Sequence, residues 1–123
     1  AANFNGNSPY GDAQRGPYLA QTSSVEAYPA TQFNLHDFHG NVSEWCWDVF
    51  DADYYRQSPA KNPTGPETGT HRVHRGGCWR ARGSGAPGGC GYMRSAARHE
   101  CSPVVRLCVL GFRIAASALP QSG

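Results

Sequence analysis

The sequence predicts an α+β fold that is mostly loop, with short strands and little regular secondary structure. Three observations carry that expectation. Of 123 residues, 15 are Gly and 9 are Pro, and only 16% are charged, so little of the chain is helix-forming. The apolar content is concentrated in one aromatic cluster at residues 33–56. A proline- and glycine-rich stretch follows that cluster directly and forbids its continuation as a helix or central strand. Order in such a chain has to come from buried aromatics, ligated ions or packing against further polypeptide.

Residues 1–32 are rich in Asn, Gly, Ser, Pro and Thr, and read as an ordered loop with at most a short strand at Val25 to Tyr28. Residues 33–56 carry Phe33, Phe38, Trp45, Trp47, Phe50, Tyr54 and Tyr55 and read as core. Residues 57–70 contain Pro59, Pro63, Gly65, Pro66 and Gly69, which make consecutive surface turns. Residues 71–113 open with a strand-like HRVHRGGCW, pass through a Gly-rich run and end with VVRLCVLGFRIA, which periodicity reads as a buried strand. Residues 117–123 read as a disordered tail.

A net charge of +2, with Arg scattered through Gly-rich sequence, leaves no footprint for nucleic acid. No stretch reaches the roughly 18 to 20 consecutive apolar residues of a membrane span. The chain reads as soluble, with a cytoplasmic and a surface-displayed location both open. Its five cysteines, Cys46, Cys78, Cys90, Cys101 and Cys108, are odd in number and irregularly spaced, so at least one thiol is unpaired within the chain and no structural zinc pattern exists.

The segment NLHDFHGNVSEWCWD at 34–48 places Asp37 and Glu44 on either side of a turn. Two carboxylates and intervening carbonyls there suit a hard cation such as calcium, while the plainer alternative has Asp37 capping the turn and Glu44 pairing with an Arg. His36 and His39 flank Asp37, and His71 and His74 flank the strand-like segment. Without a third ligand or a nucleophile, these histidines read as solvated scaffold.

The series GNVSEWCWD (40–48), NPTGPETG (62–69), RVHRGGCW (72–79), RSAAR (94–98) and GFR (111–113) resembles the signature motifs of the formylglycine-generating-enzyme and sulfatase-modifying-factor family, in the family's order and across most of the chain. The resemblance implies a C-type lectin-like fold, of which residues 1–116 form the C-terminal part. It implies a structural calcium held by the side chains of Asp37 and Glu44 and the carbonyls of Gly40 and Val42. It also implies an N-terminal half of the domain, supplied by the parent chain or by a companion chain and covering the aromatic face. Of a second calcium site found in some members, Asn3 is matched but no aligned carboxylate stands near Arg15 and Gly16.

Enzymes of this family oxidise a substrate cysteine with oxygen and a copper ion held by two cysteines. Cys90 matches the second of those positions, but the first falls on Ala81. A soft Cu(I) ion needs two thiolates, so copper chemistry here depends on Cys78 standing in for the first. The alternatives for Cys78 and Cys90 are a disulfide or two inert thiols.

The end of the chain, MRSAARHECSPVVRLCVLGFRIA, resembles the variable proteins of diversity-generating retroelements, non-catalytic members of the same fold. Their pattern keeps Arg94, Ser95, Ala96, Arg98, Pro103, Arg106, Gly111, Phe112 and Arg113 fixed, and it makes Ala97, His99, Cys101, Ser102, Val105, Leu107, Cys108 and Val109 changeable. All of the changeable residues are reachable from Asn codons by changing adenines. Arg80, Ala81 and Arg82, after Trp79, extend the reading, while Glu100 departs from it. Residues 78–113 would then be a variable region that binds a protein or cell-surface ligand on a calcium-stiffened scaffold, with a copper-dependent oxidase and a non-catalytic structural or regulatory member of the family as the alternatives.

Overall fold

A computed structural model describes residues 2–82 and 93–116. Turns and loops dominate it, around a four-stranded sheet in the order β3-β2-β1-β4. The strands are β1 (Ser43–Val49), β2 (Arg72–Arg75), β3 (His99–Cys101) and β4 (Leu110–Gly111), and one helical turn, α1 (Tyr54–Gln57), follows β1. Among the described residues, no helix is long and apolar enough to cross a membrane.

β1 starts where the chain leaves a turn with left-handed backbone at Asp37, Gly40 and Asn41. Asp and Asn tolerate that region, whereas Gly40 is needed for a second reason: a Cβ there would overlap the carbonyl oxygen of Asn3. β1 pairs antiparallel with β2 through Glu44↔Arg75 and Trp45↔His74, then advances four residues to Val49 while β2 advances two to Arg72. This irregularity swings Trp47 out of the pleat, leaving it 90% exposed. β3 pairs antiparallel with β2, setting His99 opposite His74, and β4 pairs parallel with β1, setting Leu110 opposite Ser43.

The core is small. Cys78, Trp79, Ala81 and Val109 form a buried cluster flanked by Tyr18 and Met93, and Val73 and Val49 are buried along the sheet. The N-terminal loop is fastened to this cluster by backbone bonds from Asn5 to Ala81 and from Asn41 to Asn3. Tyr18 stacks on Trp79 at 6.3 Å between ring centroids. The buried Asn3 amide donates to the carbonyl of Gln21 and to Asn41 Oδ1, so a segment with almost no apolar period is nonetheless ordered.

Three expectations are corrected. Val25 to Tyr28 is a turn, not a strand. The C-terminal VVRLCVLGFRIA is not one buried strand, because turns at 103–104 and 108–109 leave only Leu110–Gly111 in the sheet, with Leu107 and Cys108 exposed. The aromatic segment 33–56 is not a core within this chain: Phe33, Phe38, Trp47 and Tyr55 are exposed, because the described residues supply no second layer against them. The tail expected at 117–123 lies outside the described residues.

Candidate functional site

One face of the sheet carries Ser43 on β1, His74 on β2, His99 and Cys101 on β3, and Leu110 on β4, with register partners across each pair. Together with Phe50, Arg98, Glu100, Leu107 and Val109 they line a cavity of about 390 Å³. Val109 reaches it because its carbonyl accepts the N–H of Ser43 at 2.8 Å. Leu107 follows through the turn in which its carbonyl accepts the N–H of Leu110. Two stretches of the predicted variable region, 99–101 and 107–109, therefore converge on one concavity.

The polar chemistry of this cavity lies in its floor. His74 stacks on His99 at 5.4 Å and meets the edge of Trp45 at 5.9 Å. Burial, with His99 alongside, lowers the His74 pKa to about 4, so the ring is neutral at physiological pH. Its Nδ1 and the hydroxyl of Ser43 are both buried without a hydrogen-bond partner. The expectation of a solvated His74 is thus corrected: it stands in the middle of β2 and is 6% exposed. Val73 and His74 point to opposite faces of β2 and both are buried, so the strand is covered on both sides, which the residues of RVHR do not signal by themselves.

Arg98 forms the wall of the cavity and is held from all sides. Its guanidinium pairs with Asp48 at 3.4 Å and donates to the carbonyl of Asp51 at 3.1 Å. The rings of Phe50, Tyr54 and Tyr55 surround it at 4.9 to 5.8 Å.

The other changeable positions divide by burial. Arg80 and Arg82 are exposed, Arg80 lying 4.7 Å over the ring of Trp79. Trp79, Ala81 and Val109, expected on the binding surface, are buried in the core cluster, because the N-terminal loop packs over them. Ala97, Ser102 and Val105 are half-buried, and Cys108 is exposed.

At the expected calcium position, both Glu44 oxygens accept from Arg113, at 2.6 and 2.5 Å, and Arg113 Nη2 also reaches the carbonyl of His36 at 3.2 Å. Asp37 accepts the N–H of Glu26 on Oδ2, while its Oδ1 is buried with no partner. An orphaned carboxylate oxygen fits a hard cation, and the lone pairs of Glu44 not used by the guanidinium remain for one. Arg113 holds the Glu44 carboxylate through both of its oxygens.

For copper, the first family position is Ala81, which carries no ligand atom and is buried. Cys78 is fully buried beside it, and Cys90 lies outside the described residues. Cys46, on β1, has its thiol raised by burial and then by Asp48, which keeps it protonated.

Residues 2–118 match the family described as the sulfatase-modifying factor enzyme 1-like domain. The formylglycine-generating enzyme of Streptomyces coelicolor is 40% identical over 102 residues, covering 83% of this chain and 31% of that protein. The serine/threonine-protein kinase pkn1 of Chlamydia pneumoniae is 37% identical over 100 residues, covering 80% of this chain and 15% of that one. Among solved structures, Treponema denticola variable protein 1 superposes with a TM-score of 0.58 at 30% identity, over 87% of this chain and 34% of the other. PvdO from Pseudomonas aeruginosa gives 0.59 at 28% identity, over 85% and 36%. The chain spans about a third or less of the length of each of these relatives.

Proposed function

Because this chain belongs to the sulfatase-modifying factor enzyme 1-like family, with the loop-rich C-type lectin-like fold of its relatives, we propose that it is a non-catalytic ligand-binding protein of the retroelement-diversified kind. Its partner is a protein or cell-surface ligand. The carrying observation is the convergence of His99, Cys101, Leu107 and Val109, from two separate stretches of changeable positions, on a single cavity. The floor residues Ser43 and His74 lie outside that pattern, which separates scaffold from specificity. A rigid concavity lowers the ordering cost of binding and lets single substitutions retune the partner.

Burial takes Trp79, Ala81 and Val109 out of the contact surface, where they support it from beneath, and leaves the exposed Arg80, Arg82, Leu107 and Cys108 with the half-buried Ala97, His99, Cys101, Ser102 and Val105. Calcium is a structural cofactor in this reading, supported by the orphaned Asp37 oxygen. The exposed Phe38, Trp47, Phe112 and Ile114 suit cover by the N-terminal half of the domain, from the parent chain or a companion chain.

The test is a simultaneous exchange of Arg80, Arg82, His99 and Leu107, which should change partner choice in a binding selection, with the exposed Arg80, Arg82 and Leu107 each shifting stability by only about 0.5 kcal/mol and His99, stacked on His74, by more. Unchanged partner choice, or unfolding, sinks the reading. A near-identical template repeat beside a reverse transcriptase gene would support it independently.

The identity to formylglycine-generating enzymes favours a second reading, a copper-dependent oxidase acting on a cysteine of a sulfatase-like substrate. Conversion of a cysteine peptide to an aldehyde by copper-loaded protein, abolished by Cys90→Ser, would establish it instead.

A further inference from the structure

The geometry points to a second binding site, anchored by Arg75, for a small monocarboxylate with a flat apolar body. The site is the concavity of about 360 Å³ lined by residues of β1, α1, β2 and the turn at 63–65. It does not rest on the display reading, since Trp47, Tyr54, Tyr55 and Arg75 all lie outside the changeable positions.

Arg75 carries a charge that no carboxylate among the described residues balances. It stands opposite Glu44 in the β1–β2 register, but both oxygens of Glu44 accept from Arg113 instead. Its own bonds go to neutral oxygens: Nη1 donates to the carbonyl of Ser95 and Nη2 to the hydroxyl of Tyr55, each at 2.8 Å. These bonds set the plane of the guanidinium without cancelling its charge, and they leave the other N–H groups of the fork for a ligand. The residue is half-buried, so solvent reaches it while its charge is screened less than at an open surface. A fixed planar fork of this kind matches the two oxygens of a carboxylate.

The remaining charged groups of the lining set the ligand's charge. Arg98 is already paired with Asp48 at 3.4 Å and donates to the carbonyl of Asp51. Two guanidinium groups against one carboxylate leave a single positive charge in the lining, which one ligand carboxylate cancels. An ammonium ligand would meet that charge directly, and a dianion would bring a second negative charge toward Asp48.

The rings set the body. Trp47 and Tyr55 are both exposed and both line the concavity, and each is held at one end. Arg72 donates to the carbonyl of Trp47 and lies 5.9 Å over its ring, while Tyr55 is held through its hydroxyl by Arg75. Tyr54 is fixed in the same way, its hydroxyl accepting the N–H of Gly65 at 3.0 Å. A flat body stacks on such rings, which adds to the gain from buried area, and Pro63 extends the apolar surface beside them. Phe38 lines a different concavity, so its cover by further polypeptide does not by itself fill this one.

The probes are benzoate, its neutral counterpart benzamide, and acetate, which lacks the ring, each titrated calorimetrically into the intact polypeptide. Benzoate should bind about tenfold tighter than either of the others. Arg75→Gln should bring benzoate down to the level of benzamide and leave benzamide unchanged, and Arg75→Lys should restore part of the preference. Trp47→Ala should weaken benzoate and leave acetate unchanged. Should Arg75→Gln fail to fold, the unmodified protein decides, because the preference for benzoate over benzamide must shrink as sodium chloride is raised. Equal affinities for benzoate and benzamide, an unaffected Arg75→Gln variant, a preference indifferent to salt, or no binding by the intact polypeptide would overturn the site. Acetate binding as tightly as benzoate would overturn the flat body. Tighter binding of a peptide ending in Phe would overturn the small-molecule assignment and give the carboxylate to a partner chain's terminus.

Discussion

Replacing Arg98 by Met should be among the most damaging single changes available in this chain. The Arg98 side chain is 6% exposed and paired with Asp48, whose own side chain is 28% exposed. Removing one member of a buried pair costs about 3–5 kcal/mol, and the partial exposure of Asp48 puts this case at the low end, about 3 kcal/mol. Lost cation–π contact with Phe50, Tyr54 and Tyr55 adds about 1 kcal/mol, while the Met stem preserves most of the packing. Arg98→Lys keeps the charge but not the planar fork that reaches Asp48 and the Asp51 carbonyl together, so it should lose about half as much. Urea denaturation of the intact polypeptide, followed by tryptophan fluorescence, reads these losses as midpoint shifts at constant slope. The reasoning also requires coupling: in a double-mutant cycle with Asp48→Asn, the interaction energy should be about 1–3 kcal/mol. A loss below about 1 kcal/mol for Arg98→Met, or additive single losses, would refute it.

Chelation should lower the melting temperature, because an ion at a hundredfold its Kd stabilises by about 2.7 kcal/mol, and Asp37→Ala should abolish that sensitivity; an unchanged melting curve in metal-free buffer counts against the site. His74 has a folded pKa of about 4 against 6.5 for the free group, so it stabilises the fold above pH 6.5 and that contribution is lost as pH falls toward 4. His74→Phe should flatten this part of the stability profile relative to the unmodified protein, and identical profiles would contradict the burial argument. The 123-residue chain alone should bind a hydrophobic dye and lack sharp, dispersed spectra, given Trp47, Phe112 and Ile114 at 75–90% exposure. A well-dispersed monomer from this chain alone would contradict that expectation.

Much of this was legible locally. The turn residues at 57–70 and the strand around Val73 follow from backbone chemistry that the residues themselves carry. The pairing of Glu44 with an Arg was one of two open readings, and Arg113 proves to be the partner, 69 residues away. Burial was the illegible part, since it depends on which distant segment arrives. Trp47 looks like core by composition yet projects from an irregularity in β1 that leaves no mark in the sequence pattern. His74 looks like a surface histidine yet is covered by His99 and Trp45. Ala81 and Val109 are small and unremarkable in sequence, and only the N-terminal loop and the Ser43 backbone bond make them interior.

Two arginines that close on acids of β1 have a joint effect on the segment between them. Arg98 is tied to Asp48 and Arg113 to Glu44, and both acids stand on β1, four residues apart. The fourteen residues from His99 to Phe112 are thus a closed loop tied at both ends, through arginine side chains, to one strand. Closure entropy depends on the distance and length between the ties, and only weakly on length: each doubling adds about 0.6 kcal/mol. Side-chain identity inside the loop hardly enters that term. A chain fastened in this way keeps its path when its exposed residues are rewritten, and it should accept short insertions near the exposed Val104 or Cys108 at the same small entropic cost.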